Sequence, residues 1–118
     1  MDIMIDILSK YNFAELQYGV VDCNTIFLEI FEPEMFAVIH KRYTTELFGY
    51  SNLPDFLNDK YTQVPLNYAA YGDVFMQGKH TAICLGDKTF TLVGERFGIT
   101  STTNIINRSD MKCYRKEK

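Results

Sequence analysis

The sequence predicts a single α+β domain over residues 1–118, with N-terminal helices packed on a C-terminal antiparallel sheet. Three observations predict it. Up to about Tyr61 the apolar residues keep helical spacing, and beyond it they fall into short extended runs punctuated by turn residues. Helices first and strands second is the order that gathers helices against one antiparallel sheet. The length of 118 residues, with 47% hydrophobic, 14% aromatic and 23% charged residues, suits one globular core and leaves no room for a second.

Ile3, Ile7 and Leu8 form a short amphipathic face ending near Ser9 and Lys10, which makes a first helix. After a connector ending in Tyr18-Gly19, Asp22 is placed as the N-cap of a second helix. Ile26, Phe27, Ile30 and Phe31 lie on one side of it, and Asn24, Thr25 and Glu29 mostly on the other. Pro33 interrupts this helix but suits the first turn of the next, through Met35, Phe36, Val38 and Ile39. Thr45–Phe48 and Pro54–Asn58 read as further helical pieces. In the second half, Asp73–Gln77, His80–Leu85 and Lys88–Val93 are separated by Gly78-Lys79 and Gly86-Asp87, the pattern of an antiparallel meander. Gly98–Thr103 and Met111–Arg115 are candidates for two more strands, and the chain carries no internal repeat or low-complexity segment.

Charge and composition exclude several function classes. Twelve basic residues against 15 acidic ones give a net charge of -3, so no general attraction to nucleic acid or anionic lipid is expected. Lys112, Arg115, Lys116 and Lys118 read as a solvated terminus. The first residues carry Asp2 and Asp6 where a secretory signal needs positive charge. Apolar runs such as Phe36–Ile39 stop far short of the roughly 20 residues of a spanning helix. Neither export nor a membrane span is therefore expected. Three cysteines, an odd number, rule out a full disulfide framework and favour a reducing compartment. Cys23, Cys84, Cys113, His40 and His80 show no local metal-ligand spacing, and the glycines stand singly, so no metal, cofactor or phosphate loop is expected. The acidic pairs Glu32 with Glu34 and Asp55 with Asp59 fit caps and exposed faces.

Two histidines and three cysteines leave few pairings for nucleophilic chemistry. Cys23 occupies the first turn of the second helix, toward its buried side, where the amides and dipole of a helix N-terminus favour thiolate. The alternative role for such a cysteine is that of a small apolar packing residue. His80 opens its strand, and alternation puts it on the face of Ala82 and Cys84, whose small side chains leave space for a helix. A sheet that turned this face toward the start of the Cys23 helix would bring a general base to a thiol. His40, followed by Lys41-Arg42 at a polar helix end, is explained by the carbonyls there.

The runs Tyr18-Gly19-Val20-Val21-Asp22-Cys23, Gly72-Asp73-Val74-Phe75 and His80-Thr81-Ala82-Ile83-Cys84-Leu85-Gly86-Asp87 together resemble the NlpC-type cysteine peptidases, papain-like cell-wall endopeptidases. The nearest likeness is to a compact branch encoded in bacteriophage tail-gene clusters, and it spans residues 11–115. The resemblance implies an NlpC/papain-like fold, with Cys23 as nucleophile, His80 as its base, Tyr18 as an aromatic near the thiol, and a third, orienting group close to Thr91. Two departures stand out. Asn24-Thr25 replace the Ser-Gly that commonly follows Asp-Cys, and Thr91 offers a neutral hydroxyl where a His, Asn or acid is usual. A hydroxyl is a poor substitute in fixing a tautomer and stabilising an imidazolium.

Two functions follow from this resemblance. One is a virion or tail-assembly structural protein of a bacteriophage, built on a degenerate peptidase fold, contacting other phage virion or tail proteins in the virion or in the host cytoplasm during assembly. The other is an active Cys-His hydrolase that cuts peptide bonds of peptidoglycan during phage entry or assembly. The weak third residue favours the first. Tyr43, Phe48, Tyr50 and Tyr61 read either as an assembly surface or as staples that hold irregular loops on the core.

Overall fold

Helices fill the first half of the chain and strands the second in the structure, a computed structural model that describes residues 3–17, 22–39, 53–78 and 80–116. Helices α1 (Ile3–Tyr11), α2 (Cys23–Phe31), α3 (Pro33–Ile39) and α4 (Leu53–Lys60) come first. Strands β1 (Thr62–Val64), β2 (Val74–Gln77), β3 (His80–Cys84), β4 (Lys88–Val93) and β5 (Arg96–Ser101) follow, then helix α5 (Thr102–Ile106) and strand β6 (Lys112–Arg115). The helix expected over Thr45–Phe48 lies outside the described residues, as do His40, Tyr43, Phe48 and Tyr50. Among the described residues no helix is long and apolar enough to cross a membrane.

The six strands form one antiparallel sheet in the order β1-β6-β2-β3-β4-β5. Strands β2 to β5 are the expected meander, and β6 returns to lie between β1 and β2. Gly78, at φ +61°, supplies the left-handed residue of the turn between β2 and β3.

Both faces of the sheet are covered, which accounts for the unbroken apolar runs Val74-Phe75-Met76 and Ala82-Ile83-Cys84. On one face Val74, Met76, Ile83, Phe90, Phe97 and Tyr114 pack with Met4 and Leu8 of α1, Ile26, Phe27 and Leu28 of α2, and Phe56 and Leu57 of α4. On the other, Phe75, Ala82, Cys84 and Cys113 pack with Ile105 of α5 and with Met111. Tyr61 belongs to the first core and donates to Glu32 Oε2 at 2.7 Å, so it is a staple and not part of a surface.

Two elements depart from the sequence reading. Strand β1 has three residues and forms only because β6 offers it a ladder, Thr62 facing Arg115 and Val64 facing Cys113. The run expected as a strand over Gly98–Thr103 starts earlier, at Arg96, and ends at Ser101, where α5 begins. There Thr102 donates its amide to Asp87 O at 2.9 Å and its hydroxyl to Gly86 O at 2.7 Å, which ends the ladder. Ile105, fully buried, then plugs the second core.

An ion pair between buried Asp73 and partly exposed Arg115 ties the sheet together. Asp73, 2% exposed, accepts from Arg115 Nε at 2.9 Å, from Arg115 Nη2 at 2.8 Å and from the Ala70 amide at 2.9 Å. Replacing Asp73 by Ala should lower unfolding free energy by about 1 to 2 kcal/mol, through lost charge-assisted hydrogen bonds whose worth is reduced because Arg115 stays in contact with water. A urea midpoint unchanged by Asp73→Ala would contradict this. Burial, with the nearby Asp73 charge, also pushes the Cys113 thiol up to about 12. Above the ordinary thiol value of about 8.5 the unfolded chain loses this proton first, so stability falls as pH rises from there. The decline of the urea midpoint between about pH 8.5 and 10.5 should be shallower in Cys113→Ala.

Candidate active site

Asp22 fixes the start of α2. Buried to 3% exposure, its carboxylate accepts the Thr25 amide at 2.8 Å, while the Thr25 hydroxyl accepts the Asp22 amide at 3.0 Å, closing a capping box. Cys23 is thereby set as the first helical residue, with its thiol half-buried. The strand end is brought to it by Thr81, whose hydroxyl donates to the Cys23 carbonyl at 2.9 Å and reaches Asn24 Oδ1 at 3.4 Å. His80 is the residue before Thr81, and its Nδ1 lies 3.8 Å from Cys23 Sγ.

The route differs from the one alternation predicts. Helix α2 packs on the sheet face of Ile83, whereas Ala82 and Cys84 belong to the second core on the other face. His80 escapes that parity because it is the first residue of β3 and exposed, beyond the last ring of core residues. A side chain at a strand's end is not held between layers and reaches past the sheet edge to the helix.

Cys23 and His80 open on a groove of about 400 Å³, lined also by Leu16, Asn24, Gln77, Thr91, Leu92, Phe97 and Arg108. Leu16 is held there by a short segment along β5, where its amide donates to Glu95 O at 3.1 Å. Thr91 is buried in the groove wall, but among the described residues no hydrogen bond joins it to His80. The structure thus brings Cys23 and His80 together and leaves the imidazole without an orienting partner from Thr91. Tyr18 lies outside the described residues. Cys84 and Cys113 are buried in the other core, and among the described residues no three His, Cys, Asp or Glu side chains are grouped to hold a metal.

Burial pushes the Cys23 thiol above its ordinary value and the Asp22 charge adds to this, while hydrogen bonds with Thr81 and Asn24 pull the other way. The helix N-terminus was expected to favour thiolate, and desolvation outweighs it. The thiol has two acceptors for its proton, Asn24 Oδ1 at 3.6 Å and His80 Nδ1. Asn24, Thr81, Gln77 and Arg108 are site residues that sequence reasoning missed. Thr81 alone carried a signal, as a polar residue at an inward position of an apolar strand.

Comparisons of the chain with protein-family models, with curated proteins and with solved structures find no match.

The raised thiol has a measurable consequence. The rate of Cys23 alkylation by the neutral reagent iodoacetamide, followed by peptide mass spectrometry, should still be climbing above about pH 8.5, where an ordinary thiol begins to level off. A plateau already reached near neutrality would instead show a preformed thiolate and contradict the effect of burial.

Proposed function

We propose that this chain is a Cys-His hydrolase of the NlpC type, acting on amide bonds of peptide substrates such as those of peptidoglycan. The observation that carries the reading is the 3.8 Å separation of Cys23 Sγ and His80 Nδ1 beside an open groove. A sealed or separated pair would leave no chemistry to propose. The protected start of α2 and the Thr81 tether support it further, because both hold the thiol and the ring in register.

In this reading the thiol rests neutral and is activated during attack. His80 takes the Cys23 proton as sulfur bonds to the substrate carbonyl carbon, and then gives that proton to the departing amine as the C–N bond breaks. Water attacks the resulting thioester with His80 as base, which releases the acid and restores the thiol. The Cys23 amide has no acceptor among the described residues and stands at a helix N-terminus, where it would stabilise the developing oxyanion.

A second reading, the structural protein of a phage tail or virion, draws on a different observation. Among the described residues no bond joins Thr91 to His80, and Phe13, Tyr68, Val93 and Ile99 are exposed apolar groups that would suit contacts with virion partners. Under it, Cys23→Ala would enter particles normally and the wild type would cleave nothing.

The two readings separate in one set of measurements. As a hydrolase, the protein should release new amino groups from purified peptidoglycan, and Cys23→Ala should abolish this. His80→Ala should slow hydrolysis by about 100-fold or more. Independently of substrate, His80→Ala should slow iodoacetamide alkylation of Cys23 at pH 7 by about tenfold. An alkylation rate indifferent to His80, together with intact peptidoglycan, would sink the enzyme reading.

A further inference from the structure

Arg108 lines the groove that holds Cys23 and His80, in the turn that joins α5 to β6. That turn is fixed at two points. The Arg108 amide donates to Ile105 O at 3.1 Å, and Gln77 Nε2 donates to Ser109 O at 2.9 Å. Gln77 is itself the cross-strand partner of His80. The arginine therefore sits one residue from a bond to the strand position that faces the catalytic imidazole.

Its guanidinium is unspent. Among the described arginines, Arg96 pairs with Glu15 at 2.7 Å and Arg115 with Asp73 at 2.8 Å, whereas the Arg108 side chain has neither a hydrogen bond nor an ion pair. Among the described residues that line the groove, Asp22 is the only carboxylate, and it is buried and engaged by the Thr25 amide. A chain of net charge -3 thus places an unpaired cation in the lining of the groove that holds its thiol. Across the lining, Leu16, Leu92 and Phe97 supply apolar surface.

We propose that Arg108 is a specificity residue that receives a carboxylate of the substrate, so that the groove selects substrates that carry one. This rests on the reading of Cys23 as the nucleophile and adds the chemical class of its substrate. A planar guanidinium binds a carboxylate through two parallel hydrogen bonds, a geometry that lysine does not reproduce. The apolar lining takes an uncharged part of the same substrate.

Iodoacetate and iodoacetamide test this without a known substrate. Each alkylates sulfur by displacement of iodide from its methylene carbon, and they differ in a carboxylate against an amide. Rates at Cys23 in the intact protein are read by mass spectrometry, each divided by the rate with free cysteine at the same pH and salt. The normalised preference for iodoacetate should be about fivefold higher in the wild type than in Arg108→Gln. Arg108→Lys should fall between them, and added salt should shrink the difference. Circular dichroism and a urea midpoint equal to wild type would show that Arg108→Gln is folded, as expected for a side chain with no partner. An unchanged reagent preference in folded Arg108→Gln would overturn the proposal. Slow alkylation by both reagents that ignores His80 would instead count against the hydrolase reading, while the ratio of the two rates would still decide the role of Arg108.

Discussion

The hydrogen bond from the Thr81 hydroxyl to the Cys23 carbonyl, 58 residues apart in the chain, is the contact on which the candidate site depends. It joins the first turn of α2 to the first turn-proximal residues of β3, so the two halves of the molecule are in register at one point. A helix lying on a sheet is free to slide along its axis unless something specific stops it, because apolar packing has no preferred direction. Thr81 is such a stop. It is buried and therefore cannot trade this bond for one to water without loss. The Asp22 capping box acts on the same turn from the other side, preventing α2 from fraying where the thiol stands. Without both, a separation of 3.8 Å between sulfur and ring would be one of many sampled, not a fixed geometry.

The double-sided burial of the sheet explains how so exposed a histidine is held. Strands β2 and β3 are clamped between the helical layer and the small second core of Ile105, Met111 and Cys113, so their ends are rigid although His80 itself faces solvent. The Asp73–Arg115 pair and its bond to the Ala70 amide fix the start of β2 in the same way. A backbone fixed on both faces is the support a proton-transferring group needs, since loops alone position reactive groups less well.

Much of this was legible in the sequence, and the parts that were not share a cause. The start of α2 was readable because a cap acts over three residues, and Asp22 with Thr25 signals it locally. The strand opening at His80 was readable because Gly78 marks the turn before it. Strand β1 and helix α5 were hidden, since three residues of Thr-Gln-Val have no periodicity of their own and the Thr-rich run before Ile105 has strand propensity that tertiary contacts override. Alternation assigned His80 to the wrong layer because parity holds only where layers confine both sides of a strand. Arg108 gave no signal at all. An isolated arginine in a polar turn acquires meaning only when the fold sets it in the groove of a thiol with no ion pair among the described residues.

The raised thiol and the unpaired guanidinium divide the work of the groove. Burial and the Asp22 charge disfavour the Cys23 thiolate, which protects a nucleophile from adventitious oxidation and alkylation, because those reactions need thiolate. The groups that oppose this effect are Thr81 and Asn24, through their hydrogen bonds. Arg108 is left to recognition, and the transfer of the proton falls to His80. A substrate that displaces water from around sulfur and imidazole strengthens their mutual attraction at the moment the proton moves. The apolar lining of Leu16, Leu92 and Phe97 is suited to that displacement.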